Sequence, residues 1–208
     1  MNRALKSVST WFGISAGLAG IGHGVFEMLQ GNTATPGLLI LSMGPPCVPE
    51  EAWNACEPAM TVLPNFFVSG VFSVLLGVAM MVWSIWFVQR KSGGVVQLLL
   101  SAALLLFGGG FFPPLIGIVA GIAGIKINKP LAGKRMTTTR KLLAGIWPWP
   151  LVLFLVWIWG QIPVGSLCND FMQSMMGFGV ILILSLLPLS VYSGCAKDIQ
   201  RIVRGGMQ

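Results

Sequence analysis

Long apolar runs, separated by short segments that hold every lysine and arginine, constrain this chain of 208 residues more than any other feature. Hydrophobic residues make up 55% of the sequence and charged residues only 9%. Soluble domains carry about a quarter charged residues, so a water-soluble globule of this composition could not cover its surface. In lipid the runs must be helical, because the bilayer core offers backbone groups no water. The sequence therefore predicts an all-α fold, a polytopic transmembrane helical bundle in a single membrane domain.

Six runs are candidates for membrane spans. They cover residues 8–29, 62–88, 95–109, 111–125, 142–162 and 171–192. Arg3 and Lys6 precede the first run as they would in a secretory signal, but the run is long enough to be a retained span. The third and fourth runs form one apolar tract that is interrupted by Gly and Pro at 108–114. A turn there produces two short helices, whereas its absence produces one long tilted helix.

The basic residues distinguish these two arrangements. With six spans, all thirteen lie on one side of the membrane: Arg3, Lys6, Arg90, Lys91, Lys126, Lys129, Lys134, Arg135, Arg140, Lys141, Lys197, Arg201 and Arg204. With five spans, only the first four stay on that side. Because lysine and arginine concentrate in cytoplasmic segments, the sequence favours six spans with both termini in the cytoplasm. The same placement explains the net charge of +7 by membrane orientation, without nucleic acid as a partner.

In this arrangement the third and fourth spans form a short hairpin, which is either a full crossing or a re-entrant one. Each helix of some fifteen residues covers roughly 22 Å of a hydrocarbon core about 30 Å thick. Non-helical backbone at membrane depth must be packed in protein or line a wet cavity. Gly109 and Pro113 of the turn are therefore candidate binding residues, and the alternative is an ordinary tight turn. An outer loop at 31–61 and a basic cytoplasmic loop at 126–141 complete the topology.

His23 and Glu27 are the strongest candidates for a binding site within a span. They lie four residues apart, so they share one helix face, next to a glycine stripe that points into the bundle. Ionisable groups inside a membrane cost about 2.5 kcal/mol or more and usually mark function. A proton relay, a cation site or a substrate contact fits the pair. The alternative is that Glu27 reaches the outer headgroups and His23 bonds to it.

Glycines recur at helical spacing in two of the spans. The stripes consist of Gly13, Gly17, Gly20 and Gly24 in the first span and Gly117, Gly121 and Gly124 in the fourth. Small residues let transmembrane helices approach closely. We expect both stripes to pack helices, either within this chain or against partner helices or a second copy in a homo-oligomer.

Four cysteines and an acidic outer face are the remaining chemical features. Cys47 and Cys56 bracket a short acidic segment of the outer loop, where a disulfide would form in an oxidising compartment. The predicted topology also places Cys168 outside and Cys195 inside. The acidic residues of the outer face, which would attract cations, are Glu50, Glu51, Glu57 and Asp170. His23 is the only histidine, so a multi-histidine metal site is excluded, and we predict neither a metal nor a cofactor.

Three segments resemble a set of small prokaryotic multi-pass membrane proteins without assigned activity. They are residues 23–31 (HGVFEMLQG), 58–65 (PAMTVLPN) and 108–114 (GGGFFPP). The resemblance covers roughly the first 125 residues. It implies a multi-pass protein of a prokaryotic plasma membrane and supplies no substrate or mechanism.

No sequence motif specifies an activity. Phosphate-binding loops, the nucleophilic serine elbow and the zinc-protease helix motif are absent from the sequence. We expect a protein that binds or transports a small molecule, a lipid or an ion, embedded in the lipid bilayer. The alternatives are an accessory or structural subunit of a membrane complex and an outer-face thiol-redox enzyme, and an enzyme is the less favoured class.

Overall fold

The computed structural model describes residues 1–42, 57–131 and 135–205. Within them the chain forms seven α-helices and one short two-stranded ribbon, so the predicted all-α class is confirmed apart from the ribbon. The elements are α1 Arg3–Leu29, β1 Leu39–Leu41, β2 Pro58–Met60, α2 Phe66–Val82, α3 Gly93–Leu106, α4 Phe112–Ile125, α5 Thr138–Ile146, α6 Trp149–Leu167 and α7 Asn169–Gly205. A π-helical turn, Trp83–Phe87, continues α2.

Four helices are long and apolar enough to cross a membrane. They are α1, α2 with its π-helical turn, α6 and α7. These four candidate spans support the predicted multi-pass membrane location. The apolar helices α3 and α4 have 14 residues each, which corresponds to about 21 Å of helix.

Several helix boundaries differ from the predicted spans; helix α1, for example, begins at Arg3 rather than at 8. Helix α2 begins at Phe66 rather than at 62, because Asn65 caps it by accepting a hydrogen bond from the Val68 N–H. The predicted fifth span divides into α5 and α6, since Pro148 has no N–H with which to continue the first helix. Helix α7 extends to Gly205, well past the predicted end at 192.

Both glycine stripes pack against helices of the same chain. A Cβ atom at Gly17 would overlap the carbonyl oxygen of Gly77, and one at Gly24 would overlap that of Gly70, so α1 and α2 touch backbone to backbone. Gly121 and Gly124 of α4 lie against Gly94 of α3 in the same way. Every glycine of the two stripes is buried. The stripes therefore serve intramolecular packing and leave no surface for a partner helix at these positions.

The N-terminus and two of the connections between helices meet at one end of the bundle. The Asn2 side chain donates hydrogen bonds to the carbonyl oxygens of Lys126 and Lys129, at 2.7 and 3.0 Å. Asn128 donates to the carbonyl oxygen of Gln89 at 2.7 Å, so the α2–α3 connection lies there too. We call this the basic end, because the N-terminus and both of these connections carry lysine or arginine.

Asp198 of α7 caps the first helix at the basic end. Its carboxylate is 3% exposed and accepts the N–H groups of Ala4 and Leu5, both at 3.0 Å. The Arg201 guanidinium lies 3.5 Å away. The first N–H groups of a helix lack intrahelical partners and carry a partial positive charge, so a carboxylate suits them. Asp198 thereby joins the last helix to the first.

The ribbon lies at the opposite end and covers the turn between α3 and α4. Strands β1 and β2 are antiparallel, with Ile40 opposite Ala59. The carbonyl oxygen of Met60 accepts the Gly108 N–H at 2.9 Å, and that of Leu106 accepts the Val62 N–H at 2.9 Å. The non-helical backbone of the turn is therefore bonded to protein, which satisfies the condition for such backbone at membrane depth.

A compact core lies between the two ends. Phe12 of α1 packs against Phe154 of α6 with ring centroids 4.6 Å apart. A buried polar network lies nearby, in which Gln97 accepts a hydrogen bond from Ser9 at 3.1 Å and donates one to Ser84 at 3.0 Å. The apolar contacts hold the α6–α7 pair against α1 and α4. This core fills the bundle between the basic end and the end that carries the ribbon.

Candidate functional site

His23 is held between the ribbon and the glycine turn. Its Nδ1 lies 2.7 Å from Ser42 Oγ, and its Nε2 lies 3.0 Å from Glu57 Oε2. A neutral imidazole satisfies both contacts: Nδ1 accepts from the serine hydroxyl, and Nε2–H donates to the carboxylate. Ser42 and Glu57 are also joined through their backbones by a bond of 3.1 Å. We refer to Ser42, His23 and Glu57 as the polar trio.

The polar trio has the connectivity of a nucleophile, a base and an acid. One observation favours a binding role over catalysis. Ser42 is only 1% exposed, so its hydroxyl is withheld from a substrate. The trio instead presents the carboxylate of Glu57, whose side chain is 35% exposed.

Two glycines of the α3–α4 turn make room for the ionisable groups of α1. Gly108 and Gly110 have φ values of +86° and +77°, in the region that side chains rarely adopt. A Cβ atom at Gly110 would overlap the His23 ring, and one at Gly108 would overlap the Glu27 carboxyl group. The turn thus contacts both predicted residues through backbone that only glycine accommodates without strain.

Glu27 lies apart from the polar trio. It is fully buried, and neither carboxyl oxygen has a hydrogen-bond partner within the described parts of the chain. The Ser69 hydroxyl is the polar group beside it, and this hydroxyl also forms a hydrogen bond of 2.7 Å with Thr61 Oγ1. A buried polar group without a partner costs free energy. Glu27 is therefore a local source of instability in an otherwise close-packed region.

A cleft of about 360 Å³ opens between α1 and α4 on one side and α6 and α7 on the other. The polar trio forms one edge of it. Apolar side chains form most of the walls, including Phe26, Pro113, Ile116, Ile162, Met172 and Ile183. Phe26 and Ile162 are partly exposed, so the cleft is open to the surroundings of the bundle. A mostly apolar cavity with a few convergent polar groups is the usual form of a small-molecule site.

Gly179 of α7 sets the position of the aromatic wall. A Cβ atom there would contact the indole of Trp157 at 2.8 Å, so the missing side chain lets the ring lie directly on α7. The contact between Trp157 and Gly179 therefore joins α6 to α7 along one wall of the cleft. Gln161, one helical turn further along α6, adds an amide to the same wall.

Two of the four residues predicted for the binding site line the cleft, and two do not. His23 and Pro113 line the cleft. Glu27 lies behind it, and Gly109 packs against Leu104, to whose carbonyl oxygen it donates a hydrogen bond of 2.8 Å. Their part in binding stays a prediction. Sequence reasoning did not single out Glu57 from the other acidic residues as the partner of His23, because nothing in a loop of this length indicates which residues return to α1.

The predicted disulfide lies outside the described residues, since Cys47 and Cys56 are both in the segment 43–56. Cys168 is a free, exposed thiol at the α6–α7 connection, and Cys195 is a half-buried thiol in α7. Among residues 1–42, 57–131 and 135–205, no three side chains of His, Cys, Asp or Glu come together as metal ligands.

No protein-family model, curated protein or solved structure matches this chain. The cleft and its chemistry are therefore the basis for assigning a function. The resemblance to small prokaryotic membrane proteins stays a prediction.

Proposed function

We propose that the protein crosses a prokaryotic plasma membrane six times, with both termini in the cytoplasm. The gathering of the N-terminus, the α2–α3 connection, the α4–α5 connection and the end of α7 at the basic end supports this topology. These segments carry the lysines and arginines, which favour the cytoplasmic side. Helices α3 and α4 then form the short hairpin, and the ribbon supplies the backbone bonds that its tip needs.

We further propose that the protein binds a small amphiphilic molecule in the cleft. The observation that carries this proposal is the cleft itself, with apolar walls and a single polar edge formed by the polar trio. Its volume suits an organic molecule rather than a bare ion. Glu57 of the polar trio fixes one end of the ligand, and the apolar walls hold the remainder.

The alternative functions have less support. An accessory subunit that binds partner helices through its glycine stripes would need those glycines exposed, whereas the stripes are buried within the chain. A thiol-redox enzyme would depend on Cys47 and Cys56, which lie outside the described residues. Transport requires movement between two sides of the membrane, and the cleft supports binding alone.

Filling the cleft tests the binding proposal. Gly22 lines the cleft, and a Cβ atom there would meet nothing within 4 Å, so Gly22→Leu places a side chain in the cleft without a backbone clash. Decanol, an uncharged amphiphile, should raise the thermal stability of the wild type in a saturable manner. We expect Gly22→Leu to abolish this rise.

Gly160→Leu is the matched control. Gly160 lies on α6 outside the cleft and also has open space at its Cβ position. This variant should respond to decanol as the wild type does. Equal responses of Gly22→Leu and wild type, with both folded, would show that decanol binds elsewhere and would count against the cleft.

A further inference from the structure

Basic and acidic residues lie in different segments of the chain. Every lysine and arginine lies within residues 3–6, 90–91, 126–141 or 197–204. Of the six acidic residues, only Asp198 falls in these segments; the other five are Glu27, Glu50, Glu51, Glu57 and Asp170. Within the described residues, the lining of the cleft includes Glu57 but no lysine or arginine. A ligand in the cleft therefore meets a carboxylate without a fixed basic side chain of the described chain beside it.

Glu57 brings this negative charge to the edge of the cleft. With His23 in its neutral form, the carboxylate of Glu57 gives the polar trio a net charge of −1. The carboxylate is partly exposed. A cationic group bound there would gain a Coulombic interaction, which is stronger at a partly desolvated site than in water. An anionic group would be repelled.

Aromatic side chains reinforce the preference for a cation. Phe26 of α1, Phe112 of α4 and Trp157 of α6 all line the cleft. The face of an aromatic ring attracts organic cations, and aromatic walls beside a carboxylate are a recurring means of binding ammonium groups. The rest of the lining, with Met176 and Val180 on α7, is apolar and suits a hydrocarbon chain.

We infer that the ligand of the cleft is a cationic amphiphile, with an ammonium head beside Glu57 and an apolar chain between α1, α6 and α7. This inference rests on the proposed function, because it requires the cleft to be a binding site. It adds the charge of the ligand and assigns Glu57 as the residue that selects it.

Three probes with the same ten-carbon chain test the inference: decyltrimethylammonium, decanol and decyl sulfate. Each is titrated below its micellar concentration into the full-length protein in nanodiscs of zwitterionic lipid, and tryptophan fluorescence is followed. We expect decyltrimethylammonium to bind at least about tenfold more tightly than decyl sulfate, with decanol between them. The net charge of +7 would attract the anionic probe non-specifically, so a cationic preference has to come from the site.

Glu57→Gln should remove the preference for decyltrimethylammonium over decyl sulfate, while decanol still binds. Asp170→Asn is the control, since Asp170 is an exposed carboxylate that does not line the cleft; this variant should keep the preference. If Glu57→Gln fails to fold, rising ionic strength should still weaken the preference of the wild type, as expected for a partly exposed charge.

The outcomes separate the two proposals. Equal binding of the three probes, with Gly22→Leu blocking all of them, would overturn the cationic assignment and leave the amphiphile site intact. A preference that survives Glu57→Gln would also overturn it. If none of the probes binds, the proposed function itself fails.

Discussion

Nε2 of His23 lies 3.0 Å from Oε2 of Glu57, and this contact ties α1 to the segment that leads into β2. The polar edge of the cleft therefore exists only while the ribbon is docked on the bundle. Gln30 strengthens the docking, because its amide donates to the carbonyl oxygens of Leu41 and Ser42 at 3.0 and 2.7 Å. Binding at the cleft and docking of the ribbon are thus coupled through α1.

We expect Glu27→Met to stabilise the protein. The substitution replaces a buried carboxyl group that lacks hydrogen bonds with an apolar side chain of similar shape, which should raise the free energy of unfolding by about 1–3 kcal/mol. Gln97→Met is the matched control, because Gln97 is equally buried but bonded to Ser9 and Ser84. This variant should lose stability. Chemical unfolding in one detergent compares them, and a loss for Glu27→Met would reveal a bound partner of its carboxyl group.

Gly108→Ala should destabilise the α3–α4 turn. The left-handed backbone costs an alanine about 1–2 kcal/mol, and its methyl group would overlap Glu27 and Ser69. Gly145→Ala, in α5 with open space around it, should be neutral or slightly stabilising. A double variant with Glu27→Ala should recover part of the loss, as measured by thermal unfolding. Without any recovery, the clash with Glu27 is not the cause.

Asp198→Ala should remove the cap on the first helix. Two N–H groups of α1 lose their charged acceptor, which we expect to cost about 2–4 kcal/mol of unfolding free energy. Asp170→Ala, an exposed carboxylate in the first turn of α7, should cost less than about 1 kcal/mol. Similar losses for both would mean that the cap contributes little.

The six-span topology can be tested with two single-cysteine proteins. One retains only the native Cys168, and the other carries Ser92→Cys in a cysteine-free chain; both positions are exposed. Six spans place Cys168 outside, so an impermeant maleimide should label it in intact cells. The position 92 should react only after permeabilisation. Five spans would place Cys168 inside, so protection of this thiol in intact cells would refute the six-span arrangement.

The sequence predicts the helices well because their signal is long and repetitive. The glycines of α1 already indicate a packed face, and the Gly/Pro segment at 108–114 already indicates a break between α3 and α4. The basic residues also predict which connections share an end. These features depend on local composition, which a single sequence displays directly.

The ribbon and the cleft could not be predicted, because they depend on contacts between distant parts of the chain and not on local composition. Strands of three residues, Leu39–Leu41 and Pro58–Met60, are too short to show an alternating pattern. The contact between His23 and Glu57 depends on how the outer loop returns to the bundle. The cleft depends on how separate helices pack, as in the contact between Trp157 of α6 and Gly179 of α7. Such a contact is not a property of either helix alone.

The cap that Asp198 forms on α1 has a consequence for the order in which the protein folds. Its hydrogen bonds join positions 194 and 193 residues apart, so the two partners are synthesised at very different times. The ribosome delivers α1 to the bilayer long before Asp198 is synthesised. The N–H groups of Ala4 and Leu5 can therefore acquire this acceptor only after α7 has been inserted and has packed against α1.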